Sequence, residues 1–144
     1  MDTNRPEANF TFEMNQVRDF LTSTKYRGSE FFYCRGMRFF VQLRRDNFDG
    51  FSGLSVFLSR YNPSDDYFYS METNFELRLI NWLGKEDLVQ TFNYLFTSDT
   101  AQGYGYKNLI LIDELVNPFN GWVQNDALRL RVNLKCESFY LTSK

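Results

Sequence analysis

Ala127-Leu128-Arg129-Leu130-Arg131-Val132-Asn133-Leu134-Lys135-Cys136 alternates apolar and polar side chains without a break. Successive side chains on a strand point to opposite faces. Leu128, Leu130, Val132 and Leu134 therefore share a dry face, and Arg129, Arg131, Asn133 and Lys135 a wet one. This is the pattern of an antiparallel strand packed on one side only. The basic row reads as a solvated face, because a chain of net charge −2 lends it no supporting field.

The same parity recurs upstream. Phe10, Phe12 and Met14 alternate with Thr11, Glu13 and Asn15. Phe39, Val41 and Leu43 oppose Phe40, Gln42 and Arg44; Leu54, Val56 and Leu58 oppose Ser55, Phe57 and Ser59. Phe75, Leu77 and Leu79 oppose Glu76, Arg78 and Ile80. Strands are expected at residues 30–34, 38–44, 54–59, 67–70, 74–80 and 89–96, beside those around Phe10 and after Ala127. Gly36 falls at a connection. Residues 47–53, Asn62-Pro63-Ser64-Asp65-Asp66, Asn81-Trp82-Leu83-Gly84-Lys85, residues 97–103 and Asn117-Pro118-Phe119-Asn120-Gly121 read as turns or loops. Val17, Phe20 and Leu21 have helical spacing over a turn or two, and Asp113-Glu114-Leu115 looks like one helical turn. Many short strands with little helix predict an all-β, antiparallel sandwich.

Composition narrows the function classes. A chain of 144 residues suits one domain with a sizeable core. Sixteen phenylalanines and nine tyrosines favour pleated, half-buried strands over disorder. Net acidity argues against a nucleic-acid surface, which needs a basic stripe. No apolar run approaches membrane-spanning length, and the amino terminus shows no secretory h-region. Cys34 and Cys136 are accordingly expected as reduced thiols in a cytoplasmic or nuclear protein. Without histidine, histidine-based triads and histidine-ligated metals are excluded. The two cysteines lack metal-ligand spacing, Asp65-Asp66 and Asp113-Glu114 fit solvated turns or a helix start, and no glycine run cradles phosphate. No catalytic residue, metal site or cofactor is expected, and binding remains.

Gln102-Gly103-Tyr104-Gly105-Tyr106-Lys107-Asn108-Leu109-Ile110 is the stretch where binding is most legible. Its two tyrosines share one strand face, and Gly105 keeps the other face bare, so a backbone or ligand can approach closely. With Gly121-Trp122-Val123-Gln124-Asn125-Asp126-Ala127-Leu128, it resembles the carboxy-terminal signature of the MATH (meprin and TRAF homology) domain. Leu54-Ser55-Val56-Phe57-Leu58 resembles that family's Leu-Ser-Leu-x-Leu strand. Phe39 stands where the family usually carries tryptophan, and Arg44-Arg45-Asp46 replaces a common proline ending. The resemblance spans residues 10–137. It implies a TRAF-like sandwich of about eight strands in a domain at 8–140, and residues 1–7, polar and containing Pro6, read as a flexible lead-in.

In substrate-recruiting members of that family, a short extended peptide adds to a strand while its side chains enter aromatic-lined pockets. Carried across, the resemblance implies a peptide-binding groove at Phe57, Phe75, Phe96, Gly103, Tyr104 and Tyr106. Parity supports Phe57, which is set among serines on a polar face. It gives Phe75 a core reading instead, shared with Leu77 and Leu79, and Phe96 also suits a core. Tyr104 replaces the family's tryptophan, and Gly103 replaces a frequent aspartate. Loss of that acceptor argues against the usual Pro/Ala-x-x-Ser type of ligand while keeping the groove.

The expected function is thus recognition of short linear peptide motifs in partner proteins. It would serve recruitment in a ubiquitin-pathway ligase or deubiquitinase, or in a TRAF-type signalling protein. A self-association or oligomer-scaffold role, through regions outside this chain, is one alternative; a carbohydrate-binding sandwich is another.

Overall fold

The computed structural model describes residues 5–23, 26–61, 67–98 and 103–143. Residues 1–4 of the expected lead-in, the turn at Asn62–Asp66 and residues 99–102 of the expected loop lie outside them. The strands are β1 (Glu7–Asn15), β2 (Tyr26–Gly28), β3 (Phe32–Cys34), β4 (Met37–Phe48), β5 (Phe51–Tyr61), β6 (Tyr67–Leu79), β7 (Leu88–Thr97), β8 (Gly103–Leu111) and β9 (Ala127–Ser143). Two short helices, α1 (Val17–Ser23) and α2 (Ile112–Val116), follow β1 and β8.

All pairings are antiparallel, and they sort the strands into two sheets. One runs β1-β9-β6-β7; the other runs β2-β4-β5-β8, with β3 beside β2 along the same side of β4. Strand β9 sits between β1 and β6, and its predicted parity holds: Leu128, Leu130, Val132 and Leu134 are buried. On the wet face, Arg129 reaches Glu13 at 3.0 Å and Lys135 reaches Glu137 at 3.8 Å. The second sheet supplies Phe39, Val41, Leu43, Leu54, Val56 and Leu58 to the same core, all fully buried. The fold is the expected all-β sandwich, with nine strands among the described residues.

Several elements outrun their sequence signals. The turn expected over 47–53 shrinks to Asp49-Gly50, both left-handed (φ 44° and 82°), the conformation an Asp-Gly hairpin turn requires. Phe48 and Phe51 therefore already pair across β4 and β5. The segments at 67–70 and 74–80 merge into one strand, β6. Strand β9 continues past Cys136 because a bulge at Glu137 absorbs one residue against Glu72 and Thr73. The three-residue β2 carries too little pattern to be foreseen.

At the amino terminus, Glu7 already pairs with Lys135. Just before it, the Arg5 and Pro6 carbonyls accept hydrogen bonds from the Arg35 and Cys136 amides at 2.8 and 2.7 Å. Buried Asn81 pins the bend after β6. Its Oδ1 accepts from the Leu83 amide at 2.9 Å, and its Nδ2 donates to the Asn120 carbonyl at 2.8 Å.

Candidate functional site: an aromatic cleft between two open strand edges

Each sheet ends in a strand with one neighbour only. Strand β7 closes the first sheet and β8 the second, and no ladder joins them among the described residues. Unpaired edges expose backbone donors and acceptors ready for another strand. Here the two edges face each other across the sandwich, and aromatic side chains fill the gap.

Strand β8 places these side chains by its register on β5. Tyr104 pairs with Leu58 and Tyr106 with Val56, both core residues, so the two tyrosines point to the inner side of their sheet. No third sheet covers this margin, so they stay about two-fifths exposed. Tyr104 stacks on Tyr94 of β7 with centroids 4.0 Å apart and planes at 17°. It also meets Phe92 edge-on at 5.7 Å. Beneath this pair lie Phe96, in contact with Tyr94 at 4.8 Å, and Phe75, stacked on Phe92 at 4.9 Å. Phe75 and Phe96 also meet, at 6.5 Å, which closes a ring of five aromatics from solvent to core.

The six residues expected to form a groove thus divide. Tyr104 and Tyr106 stand partly exposed at the seam between the two edges, and Phe75 and Phe96 are buried beneath it as core. Phe57 lies elsewhere. Its register partner is Gly105, so it points to the outer side of the sheet, away from the tyrosines. There the Arg44 guanidinium covers its ring at 4.8 Å, and Arg44 in turn pairs with Asp46 at 2.9 Å. Phe57 and Gly103 share a shallow outer hollow of about 240 Å³ with Phe40, Gln42, Arg44 and Ser59. The expectation of one surface holding Phe57 and the tyrosines is corrected by this geometry, because the sheet itself stands between them.

Both glycines of the β8 stretch serve the strand's approach to β5. A Cβ on Gly105 would stand 2.1 Å from the Val56 carbonyl oxygen, and one on Gly103 would stand 2.6 Å from Ser59 Oγ. The bare face is needed by neighbouring protein, not by a ligand. Beyond Tyr106 the strand bulges, where left-handed Asn108 (φ 53°) donates its amide to Ser55 Oγ at 2.9 Å. That bulge carries the chain from Tyr106, opposite Val56, to Ile110, opposite Leu54.

Tyr94 and Phe92 were missed as site residues. The signal was present, since Phe92, Tyr94 and Phe96 alternate along β7 as Tyr104 and Tyr106 do along β8. Among the described residues no group of three or more Cys, Asp or Glu side chains is placed to hold a metal ion, and no helix is long and apolar enough to cross a membrane. No protein-family model matches the chain, and no curated protein matches it significantly.

Proposed function

We propose that this domain is a protein-interaction module of the MATH type, which binds a short extended segment of a partner protein along the free edge of β8. The carrying observation is the exposed tyrosine pair on an unpaired strand edge, with Tyr104 stacked on the opposite edge through Tyr94. Backbone groups of the edge supply affinity without regard to sequence, and the aromatic ring beside it selects side chains. Aromatic rings bury large area at low entropic cost, which suits them to anchor a partner. With glycine at 103, no carboxylate stands beside Tyr104 on β8. The preferred ligand is therefore a segment with apolar or proline side chains facing the cleft. Recruitment within a ubiquitin-pathway or TRAF-type signalling protein is the role the sequence resemblance suggests for such a module.

Binding of a pooled library of short Ser-, Thr-, Pro- and Ala-containing peptides tests this reading. Peptides retained by the native domain and lost by a folded Tyr104→Ala variant support it. Equal retention by both proteins, or none by either, contradicts it. The same open edge would also allow two chains to pair β8 to β8, and the molar mass in solution separates the two.

A further inference from the structure

Cys34 and Cys136 lie 102 positions apart in sequence (136 − 34) and in different sheets, yet the fold brings them together. Cys34 ends β3, and Cys136 is the last inward residue of β9 before the Glu137 bulge. A single atom ties both down: the Pro6 carbonyl oxygen accepts from the Cys34 thiol at 3.2 Å and from the Cys136 amide at 2.7 Å. Arg35 then donates its Nε to the Cys136 carbonyl at 3.2 Å. The two thiols lie near enough to perturb each other's ionisation. Both are fully buried, with no disulfide between them.

We propose that this pair is a covalent modification site, forming a reversible disulfide that staples β3 of one sheet to β9 of the other. The reaction is thiol–disulfide exchange with a low-molecular-weight disulfide such as oxidised glutathione. The Cys34 thiolate attacks one sulfur of the oxidant, forming a mixed disulfide and expelling one thiolate. Cys136 then loses its proton to solvent and attacks the Cys34 sulfur, expelling the second. Two protein thiols are oxidised, and one small disulfide is reduced to two thiols. The order follows from the thiols' influence on each other, which lowers Cys34 and raises Cys136, with burial raising Cys136 further. Access requires only local opening. Strand β3 has three residues and, among the described residues, pairs with β4 alone, and short edge segments open at far lower cost than the whole fold. The staple sits at the margin opposite the aromatic cleft, so it does not depend on peptide binding.

The native protein is equilibrated in glutathione redox buffers, quenched with acid, alkylated in denaturant and mapped by mass spectrometry. A peptide linking Cys34 to Cys136 is expected, with a disulfide-to-dithiol ratio at least about tenfold higher than for the same chain in urea. The oxidised protein melts above the reduced one, and reductant removes the difference. Thiols that stay free in every buffer, stable glutathione adducts on either cysteine, or a native ratio no higher than the unfolded one would overturn the proposal. Cys136→Ser should stop at a single glutathione adduct on Cys34, and Cys34→Ser should form far less adduct. The linked peptide in the unmutated chain decides the matter even if a variant fails to fold.

Discussion

Gly105 shows how much one side chain can decide. Its missing Cβ lets β8 approach β5 to within contact of the Val56 carbonyl and the Phe57 Cα. Gly105→Ala cannot be relieved by a rotamer change, because the obstacles are backbone atoms. A loss of about 2 kcal/mol in chemical denaturation is expected, the usual scale of overpacking, together with loss of peptide binding as β8 shifts.

Tyr104 and Phe96 should separate binding from stability. Tyr104→Ala removes a half-exposed ring and its stacking, worth about 1 kcal/mol of stability, but abolishes peptide retention. Phe96→Ala opens a cavity under the cleft in a fully buried position and should cost about 3–5 kcal/mol.

Tyr69 offers a test by pH. Burial pushes its phenol up from 10.0 to about 12, against the opposing charge of Arg60. Its hydroxyl has no hydrogen-bond partner among the described residues. The unfolded phenol ionises near 10.0 while the folded one keeps its proton to about 12. Stability is therefore at its full value below pH 10 and falls as pH rises through about 12, by a total of order 2–3 kcal/mol. Tyr69→Phe should flatten this fall in the alkaline denaturation profile and leave neutral-pH stability equal or higher.

Individual residues were legible only as far as parity reaches. The burial of Leu54, Val56 and Leu58 followed from alternation alone. The separation of Phe57 from Tyr104 did not, because it depends on the register of β8 against β5, two segments about fifty residues apart. Nothing in the local sequence sets that register.

At the scale of elements, the Asp49-Gly50 turn is the sharpest local determinant. Gly50 is left-handed with open space around it, so Gly50→Ala carries conformational strain and no clash. It should cost about 1 kcal/mol, read as a shift in urea midpoint with an unchanged slope. The hairpin was foreseeable from its Asp-Gly pair, but its strands were foreseen too short, because Phe48 and Phe51 resemble loop aromatics until they pair. Bulges were the other source of error. At Glu137 one extra residue resets the parity, and around Asn108 two extra residues shift the register, neither of which period-two counting alone can anticipate. Alternation across β7 did announce Phe92, Tyr94 and Phe96 as one row; what it lacked was the facing edge that gives the row a purpose.

At the scale of the whole molecule, the sandwich leaves the margin between β7 and β8 unjoined among the described residues. Its opposite margin is closed by β1, β3 and the Pro6 carbonyl that holds both cysteines. A monomer in solution is expected, with the β8 edge available to a peptide; a dimer that dissociates in the Tyr106→Lys variant would instead assign that edge to self-pairing. The sandwich class was legible because it rests on summed periodicity over many strands. The cleft was only half legible, because it exists where two distant edges meet.

The most direct measurement is backbone amide hydrogen exchange of the labelled domain by NMR, with and without peptides retained from the Ser-, Thr-, Pro- and Ala-containing pool. Strand addition predicts slowed exchange at alternate amides of residues 103–106, with shifts of the Tyr94 and Tyr104 ring signals. Bound peptide that leaves those amides exchanging as before would contradict recognition along β8.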